Sequence, residues 1–393
     1  MRTRYHRWGY AAGAAAARTG DEMSGPALLL AGMAVTGSAL TGSSLLAAIT
    51  IPAAVGGPLV GVLLDRTSRP GRLLAGTLIF YASALVVIQA ILGRVPLAVA
   101  VLIAVGAGLL GPALTGGWTA QLPRVVHPDD LPRASALDAM TFNLAGLTGP
   151  ALAGLAGAHA GVIVSAALIL LALPAARLLP AARPASAAPG MPVIDGIRVI
   201  VRGRALLRAT TTSVISCAGQ GMLIACSPLL GARAFGSPGH GAILISGIAA
   251  SALAANMALS RRTRPIVPDT ILWCSTLVIA VALLLAATVH PVLVLVAAVV
   301  AGLAEGPQLT ALFAVRHREA PEGLRAQIFI TGASLKITGF ALGAAIAGPI
   351  AVWSLPATLL TAAAVQLLAV LSYAWCTRRM QDAVVVSHGD VRV

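Results

Sequence analysis

The sequence predicts an all-α membrane protein: twelve transmembrane helices arranged as two six-helix, pseudo-symmetric halves. Three observations carry that prediction. Of 393 residues, 58% are hydrophobic and only 10% are charged, with mean hydropathy +0.90, where a soluble domain carries about 25% charge. Apolar runs of about twenty residues recur from end to end, each long enough to cross a hydrocarbon core about 30 Å thick as a helix. The remaining charge is mostly arginine, gathered in short stretches between those runs.

Charge breaks, Pro/Gly clusters and lengths near twenty place the spans at 10–35, 43–64, 73–93, 96–121, 134–157, 160–179, 206–231, 241–260, 267–288, 291–314, 326–351 and 355–376. The first needs an argument, because RTRYHR followed by YAAGAAAA also resembles a secretory signal with a small-residue cleavage site. From Pro26 to Leu64 run 39 residues without a charge, too many for one span and too few for two spans plus a turn. Span 1 therefore reaches back through Ala11–Ala17 and takes Arg18, Asp21 and Glu22 into the membrane.

Twelve crossings put both termini on one side. That side receives Arg2, Arg4 and Arg7, the loops at 66–72, 124–133, 177–208, 261–264 and 316–325, and Arg378 and Arg379; the other receives only Arg94 and Arg233. By the positive-inside rule the rich side is cytoplasmic, which predicts a multi-pass protein of the cell membrane with both termini inside. The net charge of +14 is then a topology signal rather than a nucleic-acid footprint. Cys217, Cys226, Cys274 and Cys376 lie in or beside spans with no ligand spacing, so neither a metal nor a cofactor is expected. The stretch RPASAAPGMP at 183–192 divides the chain into 1–182, a cytoplasmic linker 183–205, a second half 206–376 and a tail 377–393.

The halves repeat one another. DRTSRP at 65–70 overlies SRRTRP at 260–265, matching Arg66 with Arg261, Arg69 with Arg264 and Pro70 with Pro265. The same displacement sets Gly111-Pro112 on Gly306-Pro307. GPALAG at 149–154 matches GAAIAG at 343–348 one position earlier. Parallel six-helix repeats are a transporter architecture.

In that frame GVLLDRTSRPGR at 61–72 is the loop between spans 2 and 3, where it resembles the signature loop of the major facilitator superfamily, G-x-L-x-D-R-x-G-R-[R/K]. Gly61, Leu63, Asp65, Arg66 and Arg69 match; Ser68 and Pro70 depart. The resemblance implies the major facilitator fold and a cytoplasmic latch in which Gly61 lets spans 2 and 11 approach while Asp65, Arg66 and Arg69 tie the halves together. GPALAG resembles part of the same superfamily's antiporter signature, G-P-x-x-G-G, with Ala153 in place of one glycine. It implies a bacterial, drug-efflux-like type and, structurally, a kink with close packing in span 5 at Gly149, Pro150 and Gly154.

Ionisable groups inside spans cost about 2.5–3.5 kcal/mol on insertion scales and are functional candidates by default. Arg18, Asp21 and Glu22 share a helical face and can pair locally; two acids against one base leave a surplus carboxylate suited to carrying a proton. Glu305 and Lys336, on spans 10 and 11, form a candidate cavity charge pair. Asp138 reads as interfacial, and Trp118, Asn143, Gln220, Asn256 and Gln308 as lining or cross-helix hydrogen-bonding residues. The second half offers no acid opposite Asp21 and Glu22: with TGS at 36–38 over FGS at 235–237, these positions are Gln220 and Gly221.

The expected function is alternating-access transport of a small molecule, driven by protons, since the chain has no phosphate-binding loop and a single lysine. Export by antiport leads; uptake of a small polar metabolite by symport is the alternative, and a non-transporting sensor of the same fold is a third reading. An enzyme is not expected, because HExxH, GxSxG and metal-spaced histidines are absent. Expected partners are the bilayer, protons and a small-molecule substrate, for a monomer.

Overall fold

The structure, a computed structural model, describes residues 2–181, 194–237, 239–262 and 267–389. RPASAAPGMP, Arg264-Pro265 of the second arginine loop and the last four tail residues lie outside the described residues. Every described element is helical. In chain order they are α1 (Arg2–Thr36), α2 (Ala39–Thr50), α3 (Ala53–Arg66), α4 (Pro70–Ile91), α5 (Leu97–Gly108), α6 (Leu122–Val125), α7 (Leu131–Leu171) and α8 (Leu173–Arg177). There follow α9 (Asp195–Arg202), α10 (Arg204–Phe235), α11 (His240–Ser260), α12 (Pro268–Ala287), α13 (Pro291–Glu319), α14 (Arg325–Trp353) and α15 (Leu355–Gly389).

Among the described residues, ten stretches are long and apolar enough to cross a membrane. One, Pro128–Arg177, is 50 residues long, and its backbone leaves helical geometry at Gly157 (φ 69, ψ −175), a conformation open to glycine at little cost. It therefore holds spans 5 and 6. The 35 residues of α1 supply a further crossing that includes the three charges of Arg18, Asp21 and Glu22, so the lengths accommodate twelve. The break at Gly157 lies just beyond the GPALAG stretch where a kink is expected. The backbone stays helical through Gly149, Pro150 and Gly154, and nothing lies within 4 Å of a Cβ built on Gly154.

Two expected spans are interrupted by proline, which lacks the N–H that a continuing helix needs. Span 2 breaks at Pro52 into α2 and α3. Span 4 passes from α5 through Pro112 into a π-helical turn, Ala113–Gly117, the kind of local irregularity found at functional sites. The linker also differs from a purely flexible connection, because Asp195–Arg202 is helical.

The chain forms two compact units. The first comprises Met1–Ile197, Asn256–Arg261 and Ala320–Leu335; the second comprises Arg198–Ala255, Arg262–Glu319 and Lys336–Val393. In the first, α1 lies along α7; in the second, α12 packs on α13 and α10 on α15. The buried faces mix leucine with alanine and glycine, as expected where lipid competes equally for apolar surface and close packing must supply the attraction. The units echo each other. In the first, a Cβ on Gly32 would lie 2.8 Å from the Gly42 Cα; in the second, Gly231 meets the Gly241 backbone in the same way. These two crossings stand in the register that sets TGS at 36–38 over FGS at 235–237.

Candidate functional site

Arg18 projects from the middle of α1 and is 1% exposed. Its guanidinium does not serve the acids one turn along the same helix. Nη1 lies 2.9 Å from Asp138 Oδ1 and Nη2 lies 3.3 Å from Oδ2, a bidentate pair of the kind arginine favours. Nη1 also donates to the Asp138 carbonyl and the Thr141 hydroxyl, and Nη2 to the Thr119 hydroxyl and the Thr115 carbonyl. The Phe142 ring lies 3.7 Å from the guanidinium carbon. Thr119 and Tyr10 donate to the Asp138 carboxylate at 2.7 and 2.8 Å. Two expectations are thereby corrected. Arg18 pairs with α7 rather than locally, and Asp138, 2% exposed, is a buried partner rather than an interfacial acid. The reason is direction: helical side chains lean toward the N-terminus, so Arg18 points away from residues 21 and 22, and a base preceding its acid is the weaker order.

Asp21 and Glu22 are left without an ion-pair partner among the described residues. Asp21 is half-buried, with the Tyr81 hydroxyl facing its carboxyl and Ser24 Oγ 3.0 Å from that hydroxyl. Its Oδ1 lies 4.0 Å from where a Gly111 Cβ would stand. Glu22 is exposed, and its backbone presses on Gly149, where an added Cβ would come within 2.7 Å of the Glu22 Cβ. The first glycine of GPALAG thus sets the approach of α7 to the acid-bearing turn of α1. Trp118, expected as a lining residue, is fully buried; its ring stands edge-on to Tyr10 and its carbonyl accepts from the Tyr10 hydroxyl at 3.0 Å.

The arginine loop after α3 is also built differently from expectation. The Asp65 carboxylate accepts backbone N–H bonds from Ala326 (2.9 Å) and Gln327 (2.8 Å) in the first turn of α14. It satisfies donors that a helix start leaves free and meets the positive end of that helix. Arg66 and Arg69 are exposed; the cations that act on Asp65 are Arg124 and Arg325. Arg124, outside the spans, is drawn below its ordinary pKa by burial, with Asp65 opposing the shift. Gly61 permits the approach, since a Cβ there would lie 2.6 Å from the Gln327 Cα. The Ser334 hydroxyl donates to the Ala53 carbonyl at 2.6 Å.

In the second unit, Gln220 and Gln308 are occupied by each other. Gln220 Nε2 donates to Gln308 Oε1 at 3.0 Å, and Gln308 Nε2 donates to the Ser216 and Thr276 hydroxyls at 3.0 and 2.8 Å. Gln366 Nε2 donates to the Ser216 carbonyl at 2.8 Å. Glu305 and Lys336 are half-buried and act on each other and on Cys217 through space. Asp269, at the start of α12, receives Arg208 and, at 3.0 Å, Arg318. Among the described residues no group of histidine, cysteine and acidic side chains is arranged to hold a metal.

Residues 10–329 match the family model of the Major Facilitator Superfamily. The chain belongs to that superfamily. An uncharacterized MFS-type transporter of Sinorhizobium fredii is 27% identical over 353 residues, covering 83% of each chain. The structure is similar to the human organic anion transporter MFSD10 (TM-score 0.78, 15% identity, covering 95% of this chain and 100% of that one). It is also similar to a bacterial homologue of the iron transporter ferroportin (0.78, 13%, 95% and 99%) and to the Escherichia coli fucose:proton symporter (0.72, 12%, 96% and 99%). At these identities the structural matches carry the fold. Together with the family match they make this Major Facilitator Superfamily member a multi-pass membrane transporter of a small molecule rather than an enzyme.

Proposed function

We propose that this superfamily member is a proton-coupled exporter of the cell membrane, with both termini in the cytoplasm, and that Asp21 and Glu22 carry its protons. The observation that carries this reading is the commitment of Arg18 to Asp138. It leaves two acids of α1 uncompensated, where the sequence alone suggested one. A carboxyl at membrane depth with no cation beside it is cheaper protonated, and it releases its proton when it meets the less acidic side. The exposed Glu22 and the half-buried Asp21 suit that alternation. The hydrogen-bonded Asp138 suits a structural role. Asp65 serves as a latch through the first turn of α14. Export rests on the resemblance of GPALAG to the antiporter signature and on the contact of its first glycine with Glu22.

The test uses everted vesicles from cells expressing the protein, energised by respiration, with an acridine dye reporting the pH gradient. Compounds come from a panel to which expression confers tolerance. An exporter by antiport returns protons, so an active compound dequenches the dye; Asp21→Asn or Glu22→Gln abolishes that response while leaving downhill exchange. If both variants dequench like the parent, the assignment fails. A second reading, symport of a small polar metabolite, draws on Glu305 and Lys336, opposite charges acting on each other in the second unit. Counterflow of labelled zwitterions that is lost in Lys336→Gln would favour it.

A further inference from the structure

The sequence between the halves hides an amphipathic element. α9, DGIRVIVR, is joined by Gly203 alone to α10, whose 32 residues, Arg204–Phe235, are long and apolar enough to contain a membrane crossing. α9 therefore adjoins the end of a helix that can span the bilayer, close to the interface. Its roll is fixed. The Gly196 N–H donates to Gln327 Oε1 at 2.9 Å, a Cβ at 196 would lie 2.7 Å from the Gln327 Cβ, and Ile200, one turn on, is 4% exposed.

At 3.6 residues per turn, Ile194, Ile197 and Val201 fall on one stripe adjoining the buried face, and they are 58%, 39% and 56% exposed. Arg198 and Arg202 flank that stripe on its far side and are exposed. Half of the apolar arc is thus spent on the protein and half faces outward beside two cations. Aliphatic side chains at the acyl boundary with arginines at headgroup level are the layout of an interfacial helix.

We infer that the outer face of α9 is a lipid-binding surface that seats Ile194, Ile197 and Val201 in the leaflet on the arginine-rich side and takes anionic phospholipid headgroups on Arg198 and Arg202. The occupant follows from position and charge. The bilayer is the phase that the covalent link to α10 places beside the stripe, and a basic flank matches the anionic lipids of a cytoplasmic leaflet. Neither the direction of transport nor its coupling enters; the choice of anionic lipid rests on the cytoplasmic placement of the arginine-rich side proposed above.

The test is depth measurement on the full chain. With Cys217, Cys226, Cys274 and Cys376 replaced by serine, a spin label at Ile197→Cys or Val201→Cys is compared in vesicles of phosphatidylcholine alone and of phosphatidylcholine mixed with phosphatidylglycerol. Expected are preferential access by oxygen over a water-soluble nickel chelate, deeper placement with phosphatidylglycerol, and loss of that lipid dependence in Arg198→Gln/Arg202→Gln. Labels open to the chelate in both vesicles, labels closed to both reagents, or equal depth in the two compositions each overturn the proposal. If the cysteine-free form does not fold, native mass spectrometry of the otherwise unaltered protein decides instead. Preferential retention of phosphatidylglycerol, reduced several-fold in the double arginine variant, supports the site, and equal retention overturns it.

Discussion

The two units bury polar networks of opposite character. In the first, a charged pair, Arg18 with Asp138, is wrapped by three threonines and Tyr10. In the second, neutral amides and hydroxyls do the equivalent bridging, with Gln308 at the centre of Gln220, Ser216 and Thr276. Both networks are close to neutral overall, so the contrast lies in what each leaves behind. The first uses up the only base inside α1 beyond its N-terminal end and strands Asp21 and Glu22. The second has Gln220 and Gly221 where those acids would be, and Glu305 of the same unit has the Lys336 charge acting on it. The function proposed above therefore assigns proton handling to the first unit, and each network can be broken separately to check it.

The largest effect is expected from splitting the ion pair. Asp138→Asn or Arg18→Met leaves a lone charge in a dry site and is expected to destabilise the protein by about 3–5 kcal/mol, read as a large fall in thermal midpoint in detergent. The double variant Arg18→Met/Asp138→Leu removes both charges and is expected to cost much less than the sum. A single-variant loss no larger than that of a surface substitution would contradict the buried pair.

Next come the acids themselves. Asp21→Asn and Glu22→Gln are expected to leave stability within about 0.5 kcal/mol of the parent, because neither breaks an ion pair. Accumulation driven by a pH gradient is expected to vanish in at least one of them. Stability loss comparable to that of Asp138→Asn would mean that the two roles were assigned the wrong way round.

The contrast was only partly legible in the sequence. Length and charge spacing placed the spans and brought Arg18, Asp21 and Glu22 into the membrane, because those quantities are one-dimensional. Which base meets which acid is decided by helix packing and side-chain direction. Arg18 and Asp138 both stand out as ionisable groups on different spans, Asp138 reading as interfacial, yet the i+3 and i+4 spacing to Asp21 and Glu22 draws Arg18 to the wrong partners. The available signal was the leaning of helical side chains toward the N-terminus, together with Tyr10, two turns before Arg18, on the same side of α1. The loop after α3 shows the same limit. Asp65 stood out as an acid in an arginine loop, but its partners are backbone N–H groups of Ala326 and Gln327, which no residue pattern announces.

A smaller effect is expected at that loop, where the second arginine loop has Ser260 in place of an acid. Asp65→Asn keeps one carbonyl oxygen and loses the charge, so at least one N–H of α14 loses a charge-assisted bond worth about 1.5–3 kcal/mol. Slower transport with an unchanged amount in the membrane is expected. Asp65→Glu, with the charge but a longer reach, is expected to recover part of the rate, and an unchanged rate in Asp65→Asn would reduce the loop to a topology signal.

The smallest effect is expected from the neutral network. Gln308→Leu is close in volume and removes two donated bonds and one accepted bond. Thr276 keeps its bond to the Leu272 carbonyl, so the groups left wanting are the Gln220 amide and the Ser216 hydroxyl. Interhelical bonds between membrane helices average about 0.6 kcal/mol and reach about 1.7, which sets the expected loss near 1 kcal/mol, with proton-driven transport retained. Adding Gln220→Leu removes the orphaned amide as well and is expected to cost little more than the single change. If Gln308→Leu instead abolished uphill transport at full stability, the second unit would be handling protons through Glu305, one turn before Gln308 on α13. The division of labour read from Arg18 and Asp138 would then be reversed.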